Sequence, residues 1–150
     1  MDLILWRHAE AEDGFDDLAR KLTKHGERQA SRMASWLVSR LPDKVVILAS
    51  PAERTRQTAS ALGRHFDIES TLAPGRSPDD VLAAAGWPDG SRSALIVGHQ
   101  PTLGRVASRL LANCDDPWSV KKAAVWWISS RDREEGASIV LRAVISPDML

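Results

Sequence analysis

The chain has a single cysteine, a single asparagine, no tyrosine and no net charge. Cys114 alone excludes an intramolecular disulfide and a cysteine-rich metal site; near a helix end it reads as an inert small hydrophobe. The 20 basic and 20 acidic side chains cancel. There is therefore no pervasive basic field for a nucleic-acid backbone, and no acidic tail of the disordered kind. No apolar run approaches the roughly 18 residues of a membrane span. The apolar stretch in "MDLILWRHAEAED" is too short for a signal peptide and is followed by acids, so a reducing cytoplasm is the expected location. Repeats, low-complexity tracts and linkers are missing too. The 150 residues read as one domain, long enough to bury about 68–70% of the unfolded surface around one core.

What is present is an alternation of strand and helix patterns. Leu3–Trp6, Val45–Leu48 and Ala94–Val97 are continuous apolar runs, as expected of parallel strands covered on both faces. Ala124–Ile128 and Ile139–Val144, separated by the charged turn "SSRDREEGA", read as an antiparallel hairpin. A weaker strand is predicted at Asp67–Thr71. Ala30, Met33, Ala34, Leu37 and Leu41 follow helical spacing after Thr23 and before Pro42, and Leu103, Val106, Ala107, Leu110 and Leu111 repeat that stripe. The segment Ser50–His65 carries a strong helix start, with Ser50 as cap, Pro51 at the first position and Glu53 completing a capping box. Ser77, Pro78 and Asp80 open a shorter helix toward Gly86. The pattern predicts an α/β fold: a single three-layer domain, a mostly parallel central sheet with helices on both faces, and an antiparallel C-terminal hairpin.

Ligands of open parallel sheets bind beyond the carboxyl ends of the strands. The first strand ends in Arg7 and His8, the second leads into "ASPAERTRQT" with Arg54 in the first helical turn, and "ALIVG" is followed by His99. Arg54 faces the positive end of a helix dipole, a penalty of about 0.3–1 kcal/mol unless an anion sits there. Guanidinium groups grip phosphate bidentately, so the set points to a phosphoryl group. Taken singly, each residue has a plainer reading: Arg7 paired with Glu10 or Glu12, His8 hydrogen-bonded at a strand end, His99 capping the next helix. Their coincidence at three strand ends favours the phosphoryl site. Zinc on His8 and His99 is the other sharp reading, but metal sites seldom place two arginines beside the ligands. No metal or cofactor is expected. His25 and His65 read as structural or incidental.

With "RHA" after the first strand, "SPAERTRQT" after the second and "VGHQP" after the later one, the chain resembles the histidine phosphatase superfamily, whose members share a phosphoglycerate-mutase-like fold. The wording "RHAEAE", "RKLTKHG", "LASPAERTRQTA", "LAPGRSP" and "LIVGHQP" looks most like its small SixA-type phosphohistidine phosphatases, in order from Leu3 to about Leu111. The resemblance implies His8 as nucleophile, with Arg7, Arg54 and His99 forming the phosphate pocket. It also implies a phosphohistidine intermediate hydrolysed by water. A neutral imidazole with unperturbed pKa about 6.5 is a competent nucleophile near neutral pH. Charge on the equatorial oxygens calls for positioned cations.

Departures from the family pattern shape the expectation. Ala9 replaces the usual glycine; a negative φ is expected there, with its N–H free to face the phosphate. The glutamate acid that many larger members carry in a long insertion has no clear match, because Asp79, Asp80 and Asp89 are unconvincing. The phosphate-binding asparagine is absent, with Gly14 in its neighbourhood. Glu10, Glu12 and Asp13 are candidate proton donors, though a solvated acidic loop is the plainer reading. A phosphorylated imidazole leaves without the acid an alcohol needs, and a short lid leaves an open rim. The expected function is therefore removal of phosphate from phosphohistidine on a partner protein, by a monomer. The alternatives are a small-molecule phosphomonoester phosphatase on the same fold, a mutase, or a non-catalytic phosphate-binding module. Of Trp126 and Trp127, one should face inward and one outward. An outward Trp127 with Trp87 or Trp118 would mark a docking patch, whereas packing against a helix is the simpler fate. Lys121 and Lys122 either face an anionic partner or serve solubility.

Overall fold

The computed structural model describes residues 1–133 and 136–150. Strands and helices follow in the order β1 (Asp2–Arg7), α1 (Lys24–Val38), β2 (Val46–Ala49), α2 (Glu53–Ser60), β3 (Asp67–Ile68), α3 (Pro78–Ala85), β4 (Ala94–Gly98), α4 (Thr102–Ala112), β5 (Val125–Arg133) and β6 (Gly136–Ile145). The strands form one sheet ordered β3-β2-β4-β1-β5-β6. β3, β2, β4 and β1 run parallel, and β5 and β6 complete the sheet antiparallel. This is the expected α/β architecture with its mostly parallel centre.

Strand alternation divides the core into two layers. Ile4 and Trp6 face a cluster with Met33 and Leu37 of α1 and Ala59 of α2. Leu3 and Leu5 face the opposite cluster with Val81 of α3 and Leu103, Val106 and Ala107 of α4. All four β1 side chains from Leu3 to Trp6 are fully buried, each stabilising by about 1.5–3 kcal/mol relative to exposure. Burial on both faces is why this strand is a continuous apolar run rather than an alternating one.

The helix signals resolve unequally. Thr23 caps α1 by accepting from the Gly26 N–H, and Ser77 with Asp80 forms the expected capping box on α3, which ends at Gly86 in the left-handed conformation. The expected box at Ser50 does not form. α2 begins later, after Ala52, and ends at Ser60 rather than near His65. Ser50 is drawn away by a partner outside its own helix. β3 keeps only two residues of the predicted strand. The terminal hairpin is longer than its apolar core implied, since β5 and β6 run through most of "SSRDREEGA"; the connection at 134–135 lies outside the described residues.

Trp127 is buried, not outward. It packs edge-on to Trp36 at 6.3 Å, with the Arg142 guanidinium 5.0 Å from its ring centroid. Trp126 sits half-buried against Trp118 at 6.1 Å, and Trp87 packs beside the same core cluster. Trp36 of α1 covers Trp127, and Trp118 of the irregular segment before β5 partly covers Trp126, so the patch built on an outward Trp127 does not exist.

No helix among the described residues is long and apolar enough to cross a membrane.

Candidate active site

Sheet register brings the two histidines together. β1 pairs with β4 so that Arg7 lies opposite Gly98, and the next residue on each strand is a histidine. The His8 and His99 ring centroids are 5.3 Å apart. β2 flanks β4 on its other side, and its Ser50 N–H donates to Val97 O at 3.1 Å, placing Ser50 beside His99. Arg54 then projects from the first turn of α2. The sequence-predicted set of Arg7, His8, Arg54 and His99 is therefore gathered at one sheet edge.

His8 has a defined tautomer. Its Nδ1 lies 2.7 Å from the Ala9 carbonyl oxygen, which can only accept, so Nδ1 carries the proton and Nε2 keeps its lone pair. Burial, with the charges of Arg54 and Arg7 acting against the pull of the Ala9 hydrogen bond, lowers the His8 pKa to about 4. The imidazole is thus neutral at physiological pH and oriented through its far nitrogen. His8 is buried to 8% exposure.

His99 is held in a matching way. Its Nε2 lies 2.7 Å from Ser50 Oγ, and its Nδ1 lies 3.4 Å from the Arg54 guanidinium. Guanidinium can only donate, so Nδ1 accepts and Nε2–H donates to the serine. Burial first, then the neighbouring His8 and Arg54, lowers its pKa to about 3. His99 does not cap α4: Pro101 precedes that helix, and the Gln100 side chain accepts from the Gly104 N–H instead.

Arg7 is not salt-bridged as its neighbours in sequence implied. Arg7 Nη1 donates to the Val120 carbonyl at 2.9 Å, with neither Glu10 nor Glu12 as partner. Glu10 instead accepts from the Thr23 hydroxyl, at the entry to α1. Arg54 donates to the Asp17 carbonyl oxygen at 2.7 Å and to Asp17 Oδ2 at 3.1 Å. Asp17 Oδ1 takes Arg20 at 3.0 Å, so one carboxylate bridges two guanidiniums. Arg20, with Arg54, holds that carboxyl below the usual carboxylate range. The buried Nε–H groups of Arg7 and Arg54 have no acceptor among the described residues. An incoming anion would therefore find unspent donors on both arginines.

Ala9 corrects one expectation and meets another. It avoids positive φ, which among non-glycine residues occurs only at Asn113 and Ala123 of those described. Its N–H is not free, however: it donates to Thr58 Oγ1 at 3.1 Å. Thr58 sits on α2 and fills the space beside the strand end, so Ala9 contributes its carbonyl to His8 rather than its amide to a ligand. Ala123, at φ 60, also accepts from Trp6 Nε1 and donates to the His8 carbonyl. A strained residue thus fixes the backbone just past β1.

The other candidate acids lie elsewhere. Asp79 pairs with Arg109 at 2.8 Å, Asp80 caps α3, and Asp89 is exposed in the turn before β4. Glu12 and Asp13 line a shallow surface hollow with Arg20. Asp17, Arg20, Ser50 and Thr58 are the neighbours the sequence did not single out. Ser50 was visible only as a helix start, and Asp17 had no signal at all. Among the described residues, no three His, Cys, Asp or Glu side chains gather in a metal-binding group.

Comparisons with known proteins identify the family and the fold. The description of the histidine phosphatase superfamily (branch 1) matches residues 3–75. The Haemophilus influenzae homologue of phosphohistidine phosphatase SixA is 31% identical over 127 residues, covering 73% of this chain and 77% of that protein. A SixA-type structure from Nakamurella multipartitia superposes with a TM-score of 0.77 at 30% identity, over 97% of this chain and 95% of that one. A SixA protein histidine phosphatase complexed with tungstate gives a TM-score of 0.81 at 24% identity, over 99% of both chains.

Proposed function

The chain belongs to the histidine phosphatase superfamily, and on that footing we propose that it removes phosphate from phosphohistidine on a partner protein through a phosphoenzyme formed on His8. The observation that carries this reading is the His8 tautomer. Nδ1–H is fixed on the Ala9 carbonyl at 2.7 Å, which leaves the Nε2 lone pair available beside two arginines. In the first step the Nε2 lone pair attacks phosphorus. The P–Nε2 bond forms as the P–N bond to the substrate imidazole breaks. Arg7 and Arg54 receive the charge on the equatorial oxygens, where positioned donors matter more than covalent help, and His99 joins them once the phosphoryl charge protonates its Nδ1. Water then attacks phosphorus, and the Nε2 lone pair is restored as phosphate leaves. No metal enters either step of this scheme.

A nitrogen leaving group suits the surroundings. Asp17 is a carboxylate linked to the reacting set through Arg54, and its two guanidinium partners keep it ionised. An ionised carboxylate cannot protonate an alcohol, whereas an imidazole protonated on its far nitrogen leaves as a neutral ring. The arriving phosphoryl dianion would raise both histidine pKa values by direct attraction and favour hydrogen-bonded or protonated His99. The cytoplasmic setting and monomeric state expected from the sequence belong to the same reading.

Rapid-quench mass spectrometry with a phosphohistidine protein tests it. The expected result is an acid-labile phosphate on His8 and complete loss of turnover in His8→Ala. Turnover surviving that substitution would overturn the nucleophile assignment. A strong preference for a phosphate monoester over phosphohistidine protein would overturn the substrate class.

A further inference from the structure

We propose that a basic groove beside Arg7 docks an acidic segment of the partner polypeptide that carries the phosphorylated side chain. This inference rests on the reading of the site as a phosphohistidine phosphatase. The groove has a volume of about 780 Å³. α1 supplies Arg28 and Arg32 to one wall, and Lys121 and Lys122 ahead of β5 supply the other. Arg7 belongs to both places: it lines the groove and stands next to His8 in the chain. Arg7 thus joins the groove to the candidate site, so a chain whose phosphorylated residue reaches His8 can lay a flanking segment in the groove.

Charge is the selective feature. The whole chain is neutral, yet five of the groove's side chains are fixed cations and Asp148 is its one acid. Asp148 lies 3.7 Å from Lys121. Arg7, Arg28, Arg32 and Lys122 have no carboxylate partner among the described residues. Arg28, Arg32, Lys121 and Lys122 are solvent-exposed. Unpaired like charges held side by side repel, and an acidic ligand relieves that repulsion while steering the encounter. A nucleic acid fits less well. Neither tryptophan nor phenylalanine lines the groove to stack bases, the carboxylate of Asp148 interrupts it, and the neutral chain lacks a wider basic footprint.

The test pairs binding with turnover. Fluorescence anisotropy of a labelled Glu-Ser peptide without phosphate should show binding to the wild type that salt weakens, with no binding of the Gln-Ser equivalent. The Arg28→Glu/Lys122→Glu protein should bind the Glu-Ser peptide about tenfold more weakly, and His8→Ala should bind it as the wild type does. In turnover, the double variant should lose about tenfold in kcat/KM on a phosphohistidine peptide with acidic flanks, while N-phosphoimidazole is hydrolysed as before. Equal binding of the two peptides, equal loss on both substrates, or displacement of the peptide by a lower concentration of single-stranded RNA would each overturn the proposal. Peptide binding that depends on Arg28 and Lys122 in a protein that hydrolyses neither substrate would sink the phosphatase reading and leave the groove standing.

Discussion

Asp17→Asn probes whether the protein's own carboxylate competes with substrate phosphate. In the free protein Asp17 Oδ2 holds Arg54 at 3.1 Å and Oδ1 holds Arg20 at 3.0 Å. A phosphoryl group that is to use Arg54 fully must share or displace this contact. The Asp17 side chain is 55% exposed, so solvent screening limits each ion pair to about 0.2–1 kcal/mol. Removing the charge while keeping the shape should therefore strengthen anion binding by about 0.2–1 kcal/mol, or about 1.4–5-fold in Kd. Arg54 stays placed, because its 2.7 Å hydrogen bond to the Asp17 backbone carbonyl survives the substitution. Isothermal titration of wild type and variant with inorganic phosphate at constant ionic strength measures the difference. Unchanged or weaker phosphate binding would refute the competition. A large fall in kcat at unchanged KM would refute the companion argument that an ionised Asp17 is no proton donor.

Acid should destabilise the fold through the two buried histidines. Unfolded histidine takes up its proton near pH 6.5, whereas His8 and His99 resist protonation down to about 4 and about 3. The unfolded state thus binds more protons as pH falls below 6.5, and stability that is fully present above that value declines. The pair should cost about 2 kcal/mol between pH 6 and 5; urea melts should show it, and His8→Ala losing none of that slope would contradict the assignment. Ser50→Ala strands the buried His99 Nε2–H, an expected cost of about 1–3 kcal/mol, with altered 15N shifts of His99 as the specific readout; unaltered shifts would remove Ser50 from the site. At Gly104 an added Cβ would lie 1.9 Å from the Trp118 carbonyl oxygen. Gly104→Ala should therefore cost at least about 1–3 kcal/mol, and a Tm equal to that of the wild type would show that α4 is not pinned there.

Much of the site was legible because strand ends are legible. An apolar run that stops at Arg7 and His8, another that stops at His99, and a helix start carrying Arg54 place their side chains by local pattern alone. Ser50 and Asp17 mark where that reasoning stops. Ser50 had every mark of a helix cap, yet its hydroxyl accepts from His99 at 2.7 Å. That partner lies 49 residues away along the chain, beyond the reach of any local rule. Ala9 likewise kept its negative φ but lost its free N–H to Thr58, a contact set by how α2 packs on β1.

The sequence by itself determined the alternation of strands and helices, the buried central strand and the identity of the four residues gathered at its edge. These follow from periodicity, capping and charge, which act over a few residues. Only the tertiary structure decided the protonated nitrogen of each histidine, the hold of Asp17 on Arg54 and Arg20, the inward fate of Trp127 and the basic groove beside Arg7. Each depends on which distant groups share a desolvated neighbourhood, and that is fixed by sheet register and helix packing rather than by any local stretch of chain.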